Sequence, residues 1–402
     1  MKLFKSIAIL NFAFSILHSQ GAVIDQVIVR QQWPWSTDVK IEYKLSQVTN
    51  PVDIAVRAYN GTTPLDNSRI AGALTGNRYG VTESVGTIIL DPIKAFGNDK
   101  VAIADFRVEL ELSDSAANIN EVIYRIVDLT NGNVEELSRA DFYSNKGYGA
   151  FVTNYADIHA GFTTSLSPDD VFIWTGVTNN VEYKTTKLVL RKIPAKYKTF
   201  PYGTANCTLT NDYWMGVFDL TYEQYKTVVG SYAGSFTDKD GFETWPISGL
   251  SYNQFYNTVV SQLKSHVPSL DFAIPTEARL AFAMYGGAYD DIHGATAYGY
   301  VAWNKDNVAT ASPQTVGRKC PNAYGLYDAI GNVNQVTCEQ NVGGSLPSTD
   351  VTEPQLTSGQ SGYVTRGGSY NDRYYYAYVT SRSTSITYNG TNNLVGYRPY
   401  VK

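Results

Sequence analysis

Cysteine and histidine are scarce in this chain, which has three cysteines and four histidines among 402 residues. No histidine beyond the N-terminal segment stands at metal-ligand spacing from another histidine or from a cysteine, so the sequence predicts neither a zinc nor a non-haem iron site. In an oxidising compartment two of the cysteines can pair. Cys320 and Cys338 are the favoured pair, with Cys207 left over, although spacing alone leaves the connectivity open.

The chain also lacks clustered positive charge. Its net charge is −5, and no basic run follows the first few residues. Duplex binding needs grouped lysines and arginines to replace counterions, so no nucleic-acid partner is expected. Hydrophobic residues make up 43% and charged residues 17% of the chain, which is typical of a folded protein, and the length suffices for two domains.

Long apolar runs are absent except near the N-terminus. There Lys2 and Lys5 precede "SIAILNFAFSIL", and the small residues of "HSQGA" follow. This pattern predicts a secretory signal peptide over residues 1–22, cleaved near Gly21 or Ala22. The run is too short to span a bilayer comfortably. We therefore expect an exported protein, periplasmic, cell-surface or secreted, with no transmembrane anchor after signal removal.

Residues 23–130 alternate between apolar and polar side chains. "VKIEYKL" and "FRVELEL" each place four apolar residues on one face, and "VDIAVRA" and "VIYRIVD" are similar runs separated by turn signals. Such period-two runs predict an all-β sandwich with no catalytic pattern of its own. Residues 131–185 have mixed character and are predicted to form a connecting region.

Residues 186–402 carry helix signals followed by a long stretch rich in Gly, Asn, Ser and Tyr. Thr221 with Gln224, and Ser251 with Gln254, form capping boxes, and Thr276 is placed to cap a third helix. The second of these helices is predicted to bury one face that holds Phe255, Tyr256, Val259, Val260 and Leu263. The expected fold is an α+β domain with much irregular backbone.

Several motifs in this second half resemble the sulfatase-modifying factor family, which includes the formylglycine-generating enzyme and whose domain is a variant of the C-type lectin fold. The similar segments are "YWMGVFDLTYEQY", "WPISGLSYNQFYNTV", "AIPTEARLAFAMYGG", "VGRKCPNAYGLYDAIGNVNQ", "RGGSY" and "GYRP". Their order along 186–402 matches that of the family. The resemblance implies an α+β, C-type-lectin-like domain over 186–402, so with the β-sandwich predicted from alternation the expected architecture has two domains.

The resemblance also bears on chemistry. In the oxidase members two cysteines after the Arg-Gly-Gly-Ser motif bind copper, and the matching positions here are Asp372 and Ala377. Neither side chain can supply the thiolate that selects Cu(I), so no copper and no catalytic residue are expected. Glu277 is interpreted as a helix-dipole and packing residue, and Arg366 and Arg398 as residues that hold the fold together.

A structural Ca²⁺ is the one cofactor that the resemblance implies. Family members hold it in the loop that reads "GLYDAIGNVNQ" here. The matching ligands are the side chains of Asp328 and Gln335 and the carbonyls of Gly331 and Val333. Gln335 stands where the family usually has Glu, which removes one carboxylate. An Asx-rich turn without metal is the alternative interpretation.

The last segment, from Arg366 to Tyr400, is rich in tyrosine, serine and asparagine. This composition is typical of paratopes, where tyrosine provides stiff contact area and the small polar residues provide adaptable hydrogen bonds. The residues predicted to bind ligand are Tyr370, Asn371, Asp372, Tyr374, Tyr375, Tyr376, Tyr378, Tyr388 and Asn389. The segment also resembles the diversified region of variable proteins from diversity-generating retroelements. Ordinary strand and loop residues are the competing interpretation.

The predicted function is therefore recognition of a protein or a glycan through the tyrosine-rich C-terminal face of an exported, non-catalytic domain. A formylglycine-generating oxidase, or a relative with altered chemistry, is the alternative. A structural component of the cell envelope is the second alternative.

Overall fold

The chain divides into two compact units, Met1–Glu121 and Val122–Lys402. No helix in the described part of the chain is long and apolar enough to cross a membrane. The computed structural model describes residues 22–32, 35–49, 51–66, 69–70, 73–96, 103–114, 121–143, 147–148, 151–152, 173–286, 295–340, 346–354, 362–376 and 379–402.

The first unit consists mainly of two antiparallel sheets, with strand orders β1-β2-β6-β5 and β4-β3-β7. A short helix, α1, covers Pro92–Phe96. The strands are β1 (Val23–Gln31), β2 (Val39–Ser46), β3 (Val52–Asn60), β4 (Thr63–Pro64), β5 (Leu74–Gly76), β6 (Val85–Leu90) and β7 (Phe106–Asp114).

Side-chain alternation explains how these two sheets share a core. The four apolar residues of β2 that were predicted to share a face, Val39, Ile41, Tyr43 and Leu45, are all buried. Apolar residues of β3, β6 and β7 join them in a single hydrophobic cluster. Two sheets that bury facing apolar sides against each other form one core about 10 Å thick. The prediction of a β-rich N-terminal region is confirmed.

The second unit holds a six-stranded sheet of order β16-β22-β15-β12-β8-β9, a four-stranded sheet of order β20-β19-β17-β21, a three-stranded sheet of order β13-β14-β18 and a β10-β11 pair. Its strands are β8 (Val122–Asp128), β9 (Val134–Ser138), β10 (Phe151–Val152), β11 (Ile173–Trp174), β12 (Lys187–Ile193), β13 (Thr199–Tyr202), β14 (Ala205–Thr208), β15 (Tyr213–Gly216), β16 (Phe272–Ala273), β17 (Asn334–Gln340), β18 (Val351–Thr352), β19 (Gly362–Arg366), β20 (Arg382–Thr387), β21 (Val395–Gly396) and β22 (Tyr400–Val401).

The helices of the second unit begin where the sequence predicts caps. The side chains of Thr221, Ser251 and Thr276 each accept a hydrogen bond from the backbone N–H three residues on, and the first two form complete capping boxes. The helical segments are α2 (Arg139–Tyr143), α3 (Tyr222–Val229), α4 (Tyr252–Gln254), a π-helical stretch (Phe255–Val260), α5 (Ser261–His266), α6 (Glu277–Tyr285) and α7 (Ala295–Val301), with 3-10 turns at Thr175–Asn179, Val181–Lys184, Phe242–Thr244 and Tyr374–Tyr376.

Two features differ from the sequence-based expectations. The strand Val122–Asp128, which was counted with residues 23–130, pairs with β9 and β12 in the second unit. Alternation identifies a strand but carries no information on its partner, so the boundary predicted at 130 lies beyond the observed division.

Tyr256 was predicted to be buried, but it is 54% exposed because the π-helical stretch changes the angular spacing of the residues after Gln254.

Candidate functional site

The tyrosine-rich segment connects β19 to β20, and one buried carboxylate fixes both ends of this connection. Glu277, in the first turn of α6, is fully buried, and its Oε1 accepts hydrogen bonds from Arg366 Nε at 2.9 Å and Arg382 Nε at 2.7 Å. Arg366 and Arg382 are also opposite each other in the register of the two strands. Charge-assisted bonds from two guanidinium groups therefore hold the base of the connection.

A second carboxylate lies behind Glu277. Glu339, at 1% exposure on β17, accepts a hydrogen bond from the Glu277 backbone N–H at 2.7 Å. Burial raises the pKa of the Glu339 carboxyl to about 7, and the negative charge of Glu277 acts in the same direction. The base of the tyrosine-rich connection is thus a buried cluster of two carboxylates and two guanidinium groups. Glu277 is more than the dipole and packing residue that the sequence predicts.

Inside the connection, Asp372 has a structural role. Its Oδ2 accepts hydrogen bonds from the Ser369 backbone N–H at 2.8 Å and from the Ser369 hydroxyl at 2.7 Å. The backbone carbonyl of Asp372 accepts a hydrogen bond from the Lys305 N–H at 2.8 Å. Two residues further on, the Tyr374 N–H donates to Asp306 Oδ2 at 3.0 Å. These bonds tie the connection to the segment after α7, so Asp372 shapes the loop from within.

Tyr370 is not part of the exposed surface. It is 2% exposed, its ring lies edge-on to Phe236 with centroids 6.1 Å apart, and its backbone N–H donates to the Asn332 carbonyl. Burial raises the pKa of its phenol to about 12. The side chain therefore packs inside the unit, and it adds no exposed surface to the residues predicted to bind ligand.

Tyr374–Tyr376 presents three consecutive aromatic rings, and we call this turn, with the exposed Asn371, the tyrosine turn. Tyr374 packs against Tyr298 of α7 with ring centroids 5.9 Å apart. Tyr375 and Tyr376 are exposed, Tyr376 by 59%, and their centroids lie 4.7 Å apart. The first ring thus anchors the turn while the next two face solvent. Tyr378 lies outside the described residues.

Tyr388 and Asn389 lie in a second exposed group, on the turn that follows β20. Asn257 Nδ2 donates to the Tyr388 hydroxyl at 3.3 Å, and the Asn253 N–H donates to the Tyr388 carbonyl at 2.9 Å. We call Tyr256, Asn257, Tyr388 and Asn389 the Tyr388 patch, and all four are exposed. Tyr256 was predicted to lie in the core and Asn257 was given no role, so neither was predicted to bind ligand.

The structure therefore divides the predicted contact face between two places. The tyrosine turn lies against α7, whereas the Tyr388 patch lies against α4 and the π-helical stretch, where the Tyr252 ring is 6.3 Å from that of Tyr388. Within the described part of the chain, no ring contact joins the two groups.

The loop predicted to hold Ca²⁺ is held together by hydrogen bonds of Gln335 and Arg398. The amide Nε2 of Gln335 donates to the carbonyl of Asp328 at 3.0 Å, and its Oε1 accepts from Arg398 Nε at 2.8 Å. Arg398 also donates to the carbonyls of Tyr327 and Asp328. Arg398 thus occupies the Gln335 side-chain oxygen, one of the four oxygen ligands predicted for Ca²⁺, and an amide there already supplies one carboxylate fewer than the family usually has.

The remaining members of that set have other roles. Asp328 is buried, and its Oδ2 accepts a hydrogen bond from the Gly317 N–H at 2.7 Å. The other oxygen of this carboxyl group, Oδ1, has no hydrogen-bond partner among the described residues. Gly331 has φ of +72°, and a Cβ there would lie 2.4 Å from the Trp303 carbonyl oxygen, so glycine is required for the turn. Val333 is fully buried. Together these contacts describe a closed, arginine-centred turn.

None of the three cysteines forms a disulfide, so the predicted Cys320–Cys338 pair is wrong. Cys320 packs against the hydrophobic cluster that contains Phe282, whereas Cys338 packs against a different cluster, which contains Phe255. Burial raises the pKa of Cys207 to about 12 and raises that of the other two thiols as well. Raised thiol pKa values disfavour the thiolate, which is the form that binds metal.

The donor set at the family's copper positions does not fit Cu(I) either. Asp372 supplies a hard carboxylate oxygen that is already bonded to Ser369, and Ala377 lies outside the described residues. Groups of three or more His, Cys, Asp or Glu side chains able to hold a metal ion are not found among the residues that the structure describes.

Comparison with models of protein families matches residues 163–401 to the sulfatase-modifying factor enzyme 1-like domain. A search of curated proteins gives no match. Solved structures similar to this chain include variable protein 1 of Treponema denticola, at 20% identity and a TM-score of 0.46, covering 54% of this chain and 95% of that one. PvdO from Pseudomonas aeruginosa is similar at 16% identity and a TM-score of 0.45, covering 53% and 94%. The U1 variant of the Major Tropism Determinant matches at 11% identity and a TM-score of 0.30, covering 85% and 89%.

Proposed function

Because this chain belongs to the sulfatase-modifying factor enzyme 1-like family, we propose that its second unit is a C-type-lectin-like recognition domain without oxidase activity, which binds a protein or a glycan. The observation that carries this proposal is the pairing of a rigid base with exposed aromatic side chains. Glu277 fixes both ends of the tyrosine-rich connection, and Tyr375 and Tyr376 face solvent between them. Binding residues are commonly found on loops that a rigid scaffold positions.

The chemistry of the exposed residues supports recognition. A tyrosine ring contributes a large apolar surface, its hydroxyl contributes a hydrogen bond, and it loses little rotamer entropy on binding. Exposed asparagines add amide donors and acceptors to both groups. Asn371 lies in the tyrosine turn, and Asn257 and Asn389 lie in the Tyr388 patch. Such surfaces concentrate binding energy in a few aromatic anchors.

The proposal is tested by removing the anchors. The full mature chain, fluorescently labelled, is applied to an array of immobilised glycans and to a panel of purified cell-surface proteins. Tyr375→Ser combined with Tyr376→Ser is expected to weaken any interaction found by tenfold or more, because each anchor contributes about 1–2 kcal/mol or more. Tyr197→Ser is the matched control, since Tyr197 is 73% exposed and lies in the turn before β13. Equal loss in both variants, or no loss in either, contradicts the assignment.

The alternative function is formylglycine formation, which family membership favours. It is tested by incubating the chain with copper, oxygen and a cysteine-containing sulfatase peptide, and by searching for the aldehyde product by mass spectrometry. We expect unmodified peptide, because Asp372 cannot form a thiolate and the three cysteine thiols have raised pKa values. Formation of the aldehyde would refute a binding-only function.

We place this domain outside the cytoplasm, on the basis of the signal-peptide pattern in residues 1–22. Cleavage near Gly21 or Ala22 is tested by N-terminal sequencing of the protein recovered from culture fractions. We also propose that the segment from Tyr370 to Asn389 is diversified by a retroelement. That proposal requires a reverse transcriptase gene and an adenine-rich near-copy of the 3′ end beside the gene, and it fails if either is missing.

A further inference from the structure

A surface depression of about 420 Å³ lies on the second unit, away from the tyrosine turn and the Tyr388 patch. Its walls include Tyr300 from α7, Tyr327, and the consecutive residues Arg318, Lys319 and Cys320. Helix α7 separates it from the tyrosine turn, because Tyr298 faces Tyr374 while Tyr300, two residues further on, faces the depression. Residues two apart on a helix point in nearly opposite directions.

Positive charge is in excess at this depression. Arg318 is exposed and forms no ion pair with any described carboxylate, and Lys319 Nζ donates to the Gly299 carbonyl and lies 4.0 Å from the centroid of the Trp303 ring. Lys184 is not a wall residue but lies near Arg318; it is 8% exposed, lacks an ion pair within the described part of the chain, and places its Nζ over the Phe218 ring. Arg318 lies close enough to Lys184 for repulsion between them to lower the pKa of Lys184, after the larger effect of burial.

The opposing negative charge is small. Asp328 is the carboxylate that attracts both Lys184 and Lys319 among the described residues, and it is itself buried, with Arg398 as a further cationic neighbour. Lys184 and Lys319 thus share one carboxylate with Arg398, which also pairs with Asp219. Burying an uncompensated ammonium is costly, which favours an external anion at this place.

Main-chain groups add donors to the same wall. The backbone N–H groups of Arg318 and Lys319 have no acceptor among the described residues, whereas that of Gly317 bonds Asp328 and that of Cys320 bonds the Tyr300 carbonyl. Gly317 has φ of +73°, so the chain turns sharply just before these two free N–H groups. Successive unpaired N–H groups beside a guanidinium form a concavity suited to oxygen anions.

We propose that this depression binds a small organic molecule of monosaccharide size that carries a carboxylate, sulfate or phosphate group. The oxyanion lies against Arg318 and Lys319, since a guanidinium presents two parallel donors to such a group. The body of the ligand fills the remaining volume beside Tyr300, whose ring is 61% exposed. The volume of the depression is within the range of small-ligand sites and is much larger than an inorganic ion requires. This site is independent of the tyrosine-rich surface.

The test is titration calorimetry of the full chain with glucuronate, glucose 6-sulfate and glucose 6-phosphate, with glucose, inorganic sulfate and inorganic phosphate as comparison ligands. Saturable binding of at least one of the charged sugars at concentrations up to about 10 mM, tighter than that of its comparison ligands by tenfold or more, supports the proposal. The charged sugar that binds identifies the oxyanion. Absence of saturable binding by all three refutes the proposal, and so does an inorganic ion that binds as tightly as the sugars.

Variants make the assignment specific. Arg318→Gln is expected to weaken binding by about tenfold or more, since a hydrogen bond to a charged group is worth about 1.5–3 kcal/mol. Arg373→Gln removes the same charge from another exposed position and is expected to leave affinity unchanged. Equal weakening by both substitutions would indicate general charge attraction and would overturn the site. The tyrosine-turn double variant must retain this binding, so failure of one proposal leaves the other intact.

Discussion

Replacing Arg398 tests whether one guanidinium holds the centre of the second unit together. The side chain is 1% exposed, and its terminal Nη2 lies 3.2 Å from Asp219 Oδ1. Its nitrogens also donate to Gln335 Oε1 and to the carbonyls of Gly216, Val217, Tyr327 and Asp328. These acceptors come from β15, from the turn before β17 and from β17 itself, so one side chain joins segments that are distant in sequence.

We expect Arg398→Met to lower the free energy of unfolding by about 4 kcal/mol. Five charge-assisted bonds at about 1.5–3 kcal/mol each would sum to the whole stability of many domains. The groups that lose Arg398 must therefore find other hydrogen-bond partners, which recovers part of that free energy. Breaking a buried ion pair costs about 3–5 kcal/mol, which is the better guide. Methionine keeps much of the side-chain volume and so limits the cavity cost. At about 2–4 °C per kcal/mol for a large domain, the melting temperature should fall by roughly 8–16 °C.

The assay is denaturant and thermal unfolding followed by tryptophan fluorescence, since Trp174, Trp214, Trp245 and Trp303 lie in the second unit. Arg373→Ala, at an exposed position, is the control and should change stability by less than about 0.5 kcal/mol. Asp219→Asn and the double variant complete a cycle in which the pair should couple by about 1 kcal/mol or more. A loss below about 1 kcal/mol in Arg398→Met, or strictly additive effects in the cycle, would refute the reasoning.

Three further predictions concern the buried charges and the metal loop. Glu277→Gln should lower the free energy of unfolding by about 3–5 kcal/mol and speed amide hydrogen exchange between β19 and β20. The control, Asp212→Asn, breaks only the partly exposed pair with Lys192 and should lower it by less than about 1 kcal/mol. Folding raises the pKa of the Glu339 carboxyl from 4.5 to about 7, so the stability that this carboxyl contributes is fully present below pH 4.5 and is lost as the pH rises to 7. The difference in the free energy of unfolding between wild type and Glu339→Gln should therefore change by about 3 kcal/mol over that window. A pH-independent difference would contradict the raised pKa. A chelator should leave the melting temperature within about 1 °C of its starting value, because Arg398 takes the Gln335 side-chain oxygen that a metal would use, and a clear decrease would instead favour a bound Ca²⁺.

Local patterns predicted the elements of the fold better than their partners. The capping residues Thr221, Ser251 and Thr276 act through neighbours three positions away, so the sequence contains the whole interaction. The pairing of Val122–Asp128 with Lys187–Ile193 depends on chain closure over a long separation, which alternation does not encode. The cysteine pair failed for the same reason, since separation in sequence does not reveal that Cys320 and Cys338 belong to different clusters.

The candidate surface was predicted by composition, and composition does not distinguish exposed from buried tyrosines. Tyr370 and Tyr376 lie in the same short segment, yet one packs under the loop and the other faces solvent. Turn geometry decides between them, through the bonds from Ser369 to Asp372. Asn257 and Tyr256 were missed because their membership of the surface depends on the π-helical stretch, which has no simple sequence signature.

The position of the buried charges explains how this unit can carry a changeable surface. Glu277 binds Arg366 and Arg382, which flank the tyrosine-rich connection, and Arg398 joins the strands beneath it. Glu277, Arg366 and Arg398 are buried and Arg382 is half-buried, and none of them is among the exposed residues Asn371, Arg373, Tyr375 and Tyr376. Substitutions at exposed positions away from anchors usually change stability by less than about 0.5 kcal/mol. The exposed residues can therefore vary in chemistry while the base of the loop, and with it the fold, stays constant, which is the physical requirement for a domain that recognises different ligands.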